Sequence, residues 1–245
     1  MQTLVEKFGQ PAPPWFQGIK GRAAERIAES PLAIKCVQGD IVALRALILN
    51  YWPFVDTFPQ QISAAAIHML RATRLARYHT NDLSELWSTA SALLQGMQKD
   101  EKAHRELWIR TAHSLGVDDE LGRDKPLDEV NQVIATIGEA TDPFKTLLRF
   151  VAVEIVAEAL SATLLASDAF KAMLDDPGQQ WFVTHITHEP GDLTHEELAL
   201  RLAIAIRDPY PTETEVEDVI QGTVSRFTDA GEACMRTQVL PLTHH

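Results

Sequence analysis

The sequence predicts a single all-α domain, a bundle of about seven to nine helices, and three observations predict it. Apolar residues recur at steps of three and four almost throughout. No run alternates as a half-buried strand would, and proline, glycine and capping residues fall between the periodic stretches. With 245 residues, 45% of them apolar, the chain can bury one sizeable core. No repeat, low-complexity tract or linker divides it, so 1–245 is expected to be one domain with irregular tails at about 1–14 and 238–245.

A first helix is expected from Phe16 to about Glu29 and a short second one over Pro31 to Val37. Gly39-Asp40 then turns the chain into a long segment reaching about Ala72, kinked near Pro53 and Pro59. Asn81 or Asp82 caps a helix that Gly116 stops after Leu115. Leu127 to Ile137 reads as a short helix. Thr141-Asp142-Pro143 is a helix start, a cap followed by proline at the first position, and that helix runs to about Ala166. Further helices are expected at about 168–175, 179–189, 193–207 and 213–236.

The formal charge is −12, which argues against nucleic acid or an anionic membrane as the main partner. Nowhere do about 18 apolar residues run unbroken, so no membrane span is expected. The first residues, MQTLVEKFGQPAPPW, lack the basic-then-apolar order of a signal peptide. Two cysteines, Cys36 and Cys234, are too few for a disulfide framework or a thiolate metal site. A reducing, cytoplasmic setting fits them. The expected partner is a small-molecule substrate, and a homodimer is left open.

Charged residues stand where the core should be. The apolar stripe Leu86, Ala90, Leu94, Met97 continues through Glu101 and His104 to Trp108. Glu and His at i and i+3 can both reach one metal ion, as in di-iron carboxylate bundles; an isolated pair of this kind is more often a helix edge with the glutamate solvated and the histidine half-buried. The stretch FVAVEIVAEALSATLLA, 150–166, is apolar nearly all round, and its only charges are Glu154 and Glu158. A buried carboxylate costs several kcal/mol unless it is paired, protonated or metal-bound. An arginine such as Arg149 is one alternative partner. His185, His188, Asp192 and His195 follow at steps of three, four and three, on one face if the helix were continuous. Pro190-Gly191 is expected to kink or break it, and a histidine-rich surface turn is the plainer reading. The imidazole and carboxylate mix suits iron or manganese better than calcium. No arginine or lysine cluster is placed to neutralise these groups.

These segments resemble those of the haem-oxygenase-like di-iron oxidases, relatives of the TenA and CADD-like fold, most of all the branch of alkene-forming medium-chain fatty-acid decarboxylases. The likeness spans about 20–236. It is carried by Asn50-Tyr51-Trp52-Pro53-Phe54-Val55-Asp56, by Glu101-Lys102-Ala103-His104 with Trp108 and Leu115-Gly116-Val117, by Ala157-Glu158-Ala159, and by His188, Asp192 and His195. Another branch places its first glutamate seven residues before the histidine; Met97 stands there, so only the Glu-x-x-His branch fits.

The resemblance implies a TenA-like bundle holding two iron ions, with dioxygen as co-substrate. The implied ligands are Glu101, His104, Glu158, His188, Asp192 and His195, with Glu101 and Glu158 bridging. If the chain carries a three-residue insertion around Pro190-Gly191, His185, four residues after Trp181, replaces His188. Asp56 would line the substrate pocket, or else is a helix-end carboxylate. The implied activity is an iron- and O2-dependent oxidation of a small carboxylate, amine or amino-acid-like molecule. Two rivals stand beside it: a metal-free TenA-like binding or interaction protein, and a thiaminase-like hydrolase using Asp56 and a cysteine.

Overall fold

In the computed structural model, which describes residues 9–76, 81–187 and 193–237, every regular element is helical. Ten α-helices follow in order among the described residues: α1 (Phe16–Ala28), α2 (Pro31–Val37), α3 (Ile41–Ala76), α4 (Asn81–Ser114), α5 (Asp128–Gly138), α6 (Pro143–Leu165), α7 (Asp168–Lys171), α8 (Asp176–Ile186), α9 (His195–Ala205) and α10 (Glu213–Thr237). Each answers to one of the ten expected helical stretches, and the bundle comes to seven to nine only if the shortest, α2 of seven residues and α7 of four, are left out. After Lys171 the N–H groups of Met173 and Leu174 bond back three residues, to Phe170 and Lys171, so the helix expected to about 175 tightens and ends early.

The boundaries follow from capping chemistry. Asp142 Oδ1 accepts from the N–H groups of Phe144 and Lys145 at 3.0 and 3.3 Å, with Pro143 in the first turn of α6. Asp175 Oδ1 accepts from Gly178 N at 2.8 Å, so α8 begins at Asp176, three residues before the expected start. Thr194 Oγ1 accepts from Glu197 N at 3.1 Å and starts α9. Before α10, Thr212 and Glu215 cap one another reciprocally. Gly116, at φ +66°, supplies the left-handed residue that closes α4. α3 continues as helix through Pro53 and Pro59.

α6 is the central helix and packs against α1, α8, α9 and α10. Its Leu147, Leu148, Phe150, Val151 and Ile155 are fully buried, each contributing about 1.5–3 kcal/mol. α3 packs along α4. By length and composition Ile41–Ala72 could cross a membrane; in the bundle its Leu44, Leu47, Ile48, Phe58 and Ile62 are buried in the core.

Candidate metal centre

Four helices, the central α6 among them, bring ionisable side chains together. α4 brings Asp100, Glu101 and His104. α6 brings Glu154 and Glu158, α8 brings His185, and His195 opens α9. Ligand atoms of Glu101, His104 and His185 all lie within 4.8 Å of one another. Two donors on one ion, each about 2.1 Å from it, are at most about 4.2 Å apart. Holding one ion would need these ligand atoms to draw together by up to about 0.6 Å.

Each of these side chains is already oriented. His104 Nδ1 lies 3.0 Å from Glu101 Oε1. Burial alone would lower the His104 pKa, but the Glu101 and Glu154 carboxylates outweigh it and raise it. His185 is buried, and its Nδ1 donates to the Trp181 carbonyl at 2.7 Å. A carbonyl only accepts, so the proton sits on Nδ1 and Nε2 keeps a free lone pair. Burial, aided by His104, pushes the His185 pKa down and keeps the ring neutral. The ring packs 4.1 Å from Trp181 and 4.6 Å from His104. Trp181 in turn meets Trp108 edge-on at 4.7 Å, and the Trp108 indole donates to the Ile48 carbonyl.

Glu154 stands between Val153 and Ile155 on a helix otherwise given to the core, and 15% of its side chain is exposed. Its Oε1 is 3.7 Å from His195 Nδ1, too long for a hydrogen bond, and finds no other partner. Burial pushes its pKa up, but the His195, His185 and His104 imidazoles hold it below the usual carboxylate range. A buried carboxylate oxygen without a partner costs free energy. A cation at this point would satisfy it, so the donor set fits a metal ion. His195 Nε2 lies 3.2 Å from Asp100 Oδ2. Burial lowers the His195 pKa, and the Glu154, Asp100 and Glu101 carboxylates more than reverse this, to about 9.

Other residues expected at the site take different places. Glu158 accepts an ion pair from Lys20 Nζ at 2.8 Å, and Lys20 also holds Glu196 at 2.7 Å. The expectation that no lysine neutralises these carboxylates is thus corrected. The cation comes from α1, 138 residues before Glu158 in sequence. Arg149 turns instead to Glu139. Asp56 pairs with Arg105 at 2.8 Å, and the guanidinium lies over Trp52. His188 and Asp192 lie outside the described residues. Sequence reasoning missed Asp100 as a partner of His195 and Glu154 as the α6 carboxylate nearest the imidazoles. The four-residue spacing of Glu154 and Glu158 put both on one face but did not rank them.

Two cavities meet at this cluster. An apolar one of ≈ 80 Å³, lined by Phe54, Phe58, Val156, Leu160 and Phe227 among others, ends on Glu101, Glu154 and His185. A more open polar one of ≈ 290 Å³ is lined by Asp100, His104, Glu154, Glu158, His185 and His195 with Thr184, Thr187, Leu193 and Thr194. The thiols of Cys36 and Cys234 are buried, pushed up to about 12 by desolvation, and line neither cavity.

No protein-family model matches the sequence, and no curated protein matches it significantly. Solved structures resemble it in fold. A TenA homologue from Pseudomonas syringae superposes with a TM-score of 0.73 at 15% identity, over 91% of this chain and 93% of that one. A domain of unknown function with a haem oxygenase-like fold from Shewanella denitrificans gives 0.65 at 12% identity, over 90% of each chain. A CADD-like protein of unknown function from Nostoc punctiforme gives 0.57 at 11% identity, over 94% of this chain and 98% of that one. The chain therefore has the TenA-like, haem-oxygenase-like helical fold.

Proposed function

We propose that this chain, a TenA-like helical bundle, is a non-haem iron enzyme that uses dioxygen to oxidise a small organic substrate with an apolar portion. The supporting observation is the meeting of Glu101, His104 and His185 within 4.8 Å beside the unpartnered Glu154 oxygen. Glu101, His104, Glu154 and His185 would hold the first of two ions, His185 taking the place of His188. Glu158, His195 and Asp192, which the resemblance implies as ligands, would serve the second. Iron held by carboxylates and imidazoles supplies the binding and reduction of dioxygen, which protein side chains cannot perform.

The chain's own residues do the rest. Trp181 fixes the tautomer of His185, and Glu101 holds the Nδ1 side of His104. Phe54, Phe58, Val156 and Phe227 wall off the apolar cavity, so an apolar segment of substrate can lie against Glu101 and Glu154 with water excluded. The cavity suits a carboxylate, amine or amino-acid-like molecule that carries an aliphatic part. The rival hydrolase would need a thiolate, and burial keeps both thiols protonated and away from the cavities.

The test is iron content, together with the optical change when the reduced protein meets oxygen. Wild type should hold iron and respond. His185→Ala and His195→Ala should lose both properties. His113→Ala should lose neither, since that ring is 79% exposed and paired with Asp118. Protein from iron-supplemented cells that holds no iron and binds none would leave a metal-free binding protein on this fold.

A further inference from the structure

We propose that Lys20 is a built-in competitor for the second metal position, an internal cation that Glu158 must release before a second divalent ion can take it. The inference rests on the metal-centre reading above and concerns a residue that reading does not use.

The geometry is asymmetric. Near Glu101, His104, His185 and Glu154 the described residues show no lysine or arginine paired with the cluster, and Glu154 Oε1 has no hydrogen bond, only His195 Nδ1 at 3.7 Å. One turn further along α6, Glu158 is already served. Lys20 Nζ sits 2.8 Å from Glu158 Oε2 and 2.7 Å from Glu196 Oε2. Yet Glu158 also lines the polar cavity with Asp100, His104, Glu154, His185 and His195. Its carboxylate therefore faces two cations in turn, the ammonium of α1 and whatever ion enters that cavity.

Lys20 can yield without leaving a charge stranded. Its side chain is 26% exposed, so the ammonium has a path to water, and Glu196, at 6% exposure, remains as its second partner. The first ion meets no lysine in its way. The second must break the Lys20–Glu158 pair, and Coulomb attraction between that pair at 2.8 Å subtracts directly from its affinity. The lysine thus sets the gap between the first and second binding steps, and with it the fraction of molecules holding two ions at a given metal concentration.

The experiment uses Mn(II), counted by electron paramagnetic resonance, on the full chain as wild type, Lys20→Met and Lys20→Arg. Methionine keeps the length and removes the charge; arginine keeps the charge. Lys20→Met should tighten the second ion about three- to fivefold and leave the first unchanged, while Lys20→Arg should behave as wild type. Equal second-ion affinity in wild type and Lys20→Met overturns the inference and leaves the metal centre standing. A wild type that binds no Mn(II) overturns both. Should Lys20→Met fail to fold, acetylation of wild-type Lys20, read by peptide mass spectrometry against Lys145, decides the matter. Labelling should rise several-fold between one and two equivalents of Mn(II), as the ammonium leaves Glu158. Unchanged labelling while the second ion binds overturns the inference.

Discussion

Metal binding at this centre should expel protons, and His195 sets the number. Its imidazole lies between Asp100 and Glu154, whose carboxylates, with Glu101, overcome burial and raise its pKa to about 9. A histidine must be neutral to ligate. At pH 7.5 nearly every His195 carries the extra proton, so binding an ion there releases about one. Affinity then rises about tenfold per pH unit below 9, or about thirtyfold between pH 7 and 8.5. His104, also raised, adds to the release at the lower end, whereas His185, lowered by burial, adds nothing. The assay is calorimetric titration with Mn(II) at pH 7.5 in buffers of different ionisation enthalpy, where the slope counts protons. His195→Gln should lower the count by about one. A slope of zero in protein that binds the ion would refute the electrostatic account of this site. Stability of the chelator-treated protein should run the other way. A pKa raised above the unfolded value of about 6.5 stabilises the fold fully below that pH. That contribution disappears as pH rises through about 9, so the melting temperature should fall across this window and the fall should vanish with bound metal.

Two further outcomes test the scaffold and the site separately. Glu154→Gln keeps the volume and removes the charge; iron or Mn(II) affinity should fall about a hundredfold or more, with far-UV circular dichroism unchanged, and an unaltered affinity would exclude Glu154 as a ligand. Gly178→Ala should lower stability by about 1–3 kcal/mol in urea unfolding and weaken metal binding with it. A Cβ there would stand 2.6 Å from Ser114 Cβ and 2.9 Å from Asp175 Oδ1, forcing α8, which carries His185, away from α4. Gly222→Ala is the control: its Cβ meets nothing within 4 Å inside α10. It should leave metal binding alone and stabilise by up to about 1 kcal/mol.

The helices were legible because their signals are local. Asp142-Pro143 and Gly116 act on neighbouring N–H and C=O groups, and a sequence displays neighbours. The same chemistry stands at Asp175-Asp176-Pro177 and starts α8 three residues before the expected 179. A break between His185 and His195 was readable too: α8 ends at Ile186 and Thr194 caps α9, while Pro190-Gly191, where the break was expected, lies outside the described residues. The partners of the charged groups were not readable. Glu154 and Glu158 look alike in sequence, each an acid among aliphatics. What separates them is Lys20 arriving from α1 to hold one and His195 arriving from α9 to face the other. Such pairings depend on how helices cross, which periodicity does not encode.

The position of Glu154 and His185 has a consequence for the order of events at the site. Both residues line the apolar cavity and the polar one, so they form the wall between them. On the polar side stand Asp100, His104, Glu158 and His195, a surface that attracts cations and admits water. On the other side stand aromatic and aliphatic residues that exclude both. Ions would therefore enter through carboxylates, and an apolar substrate segment would approach from the opposite face without displacing them. Desolvation opposes the Glu154 carboxylate there, and the His195, His185 and His104 imidazoles outweigh it and hold the pKa below the usual range; a buried valine or leucine would contribute about 1.5–3 kcal/mol in its place. An ionised carboxylate set among three imidazoles at the junction of a wet and a dry cavity is the arrangement that an incoming cation would meet.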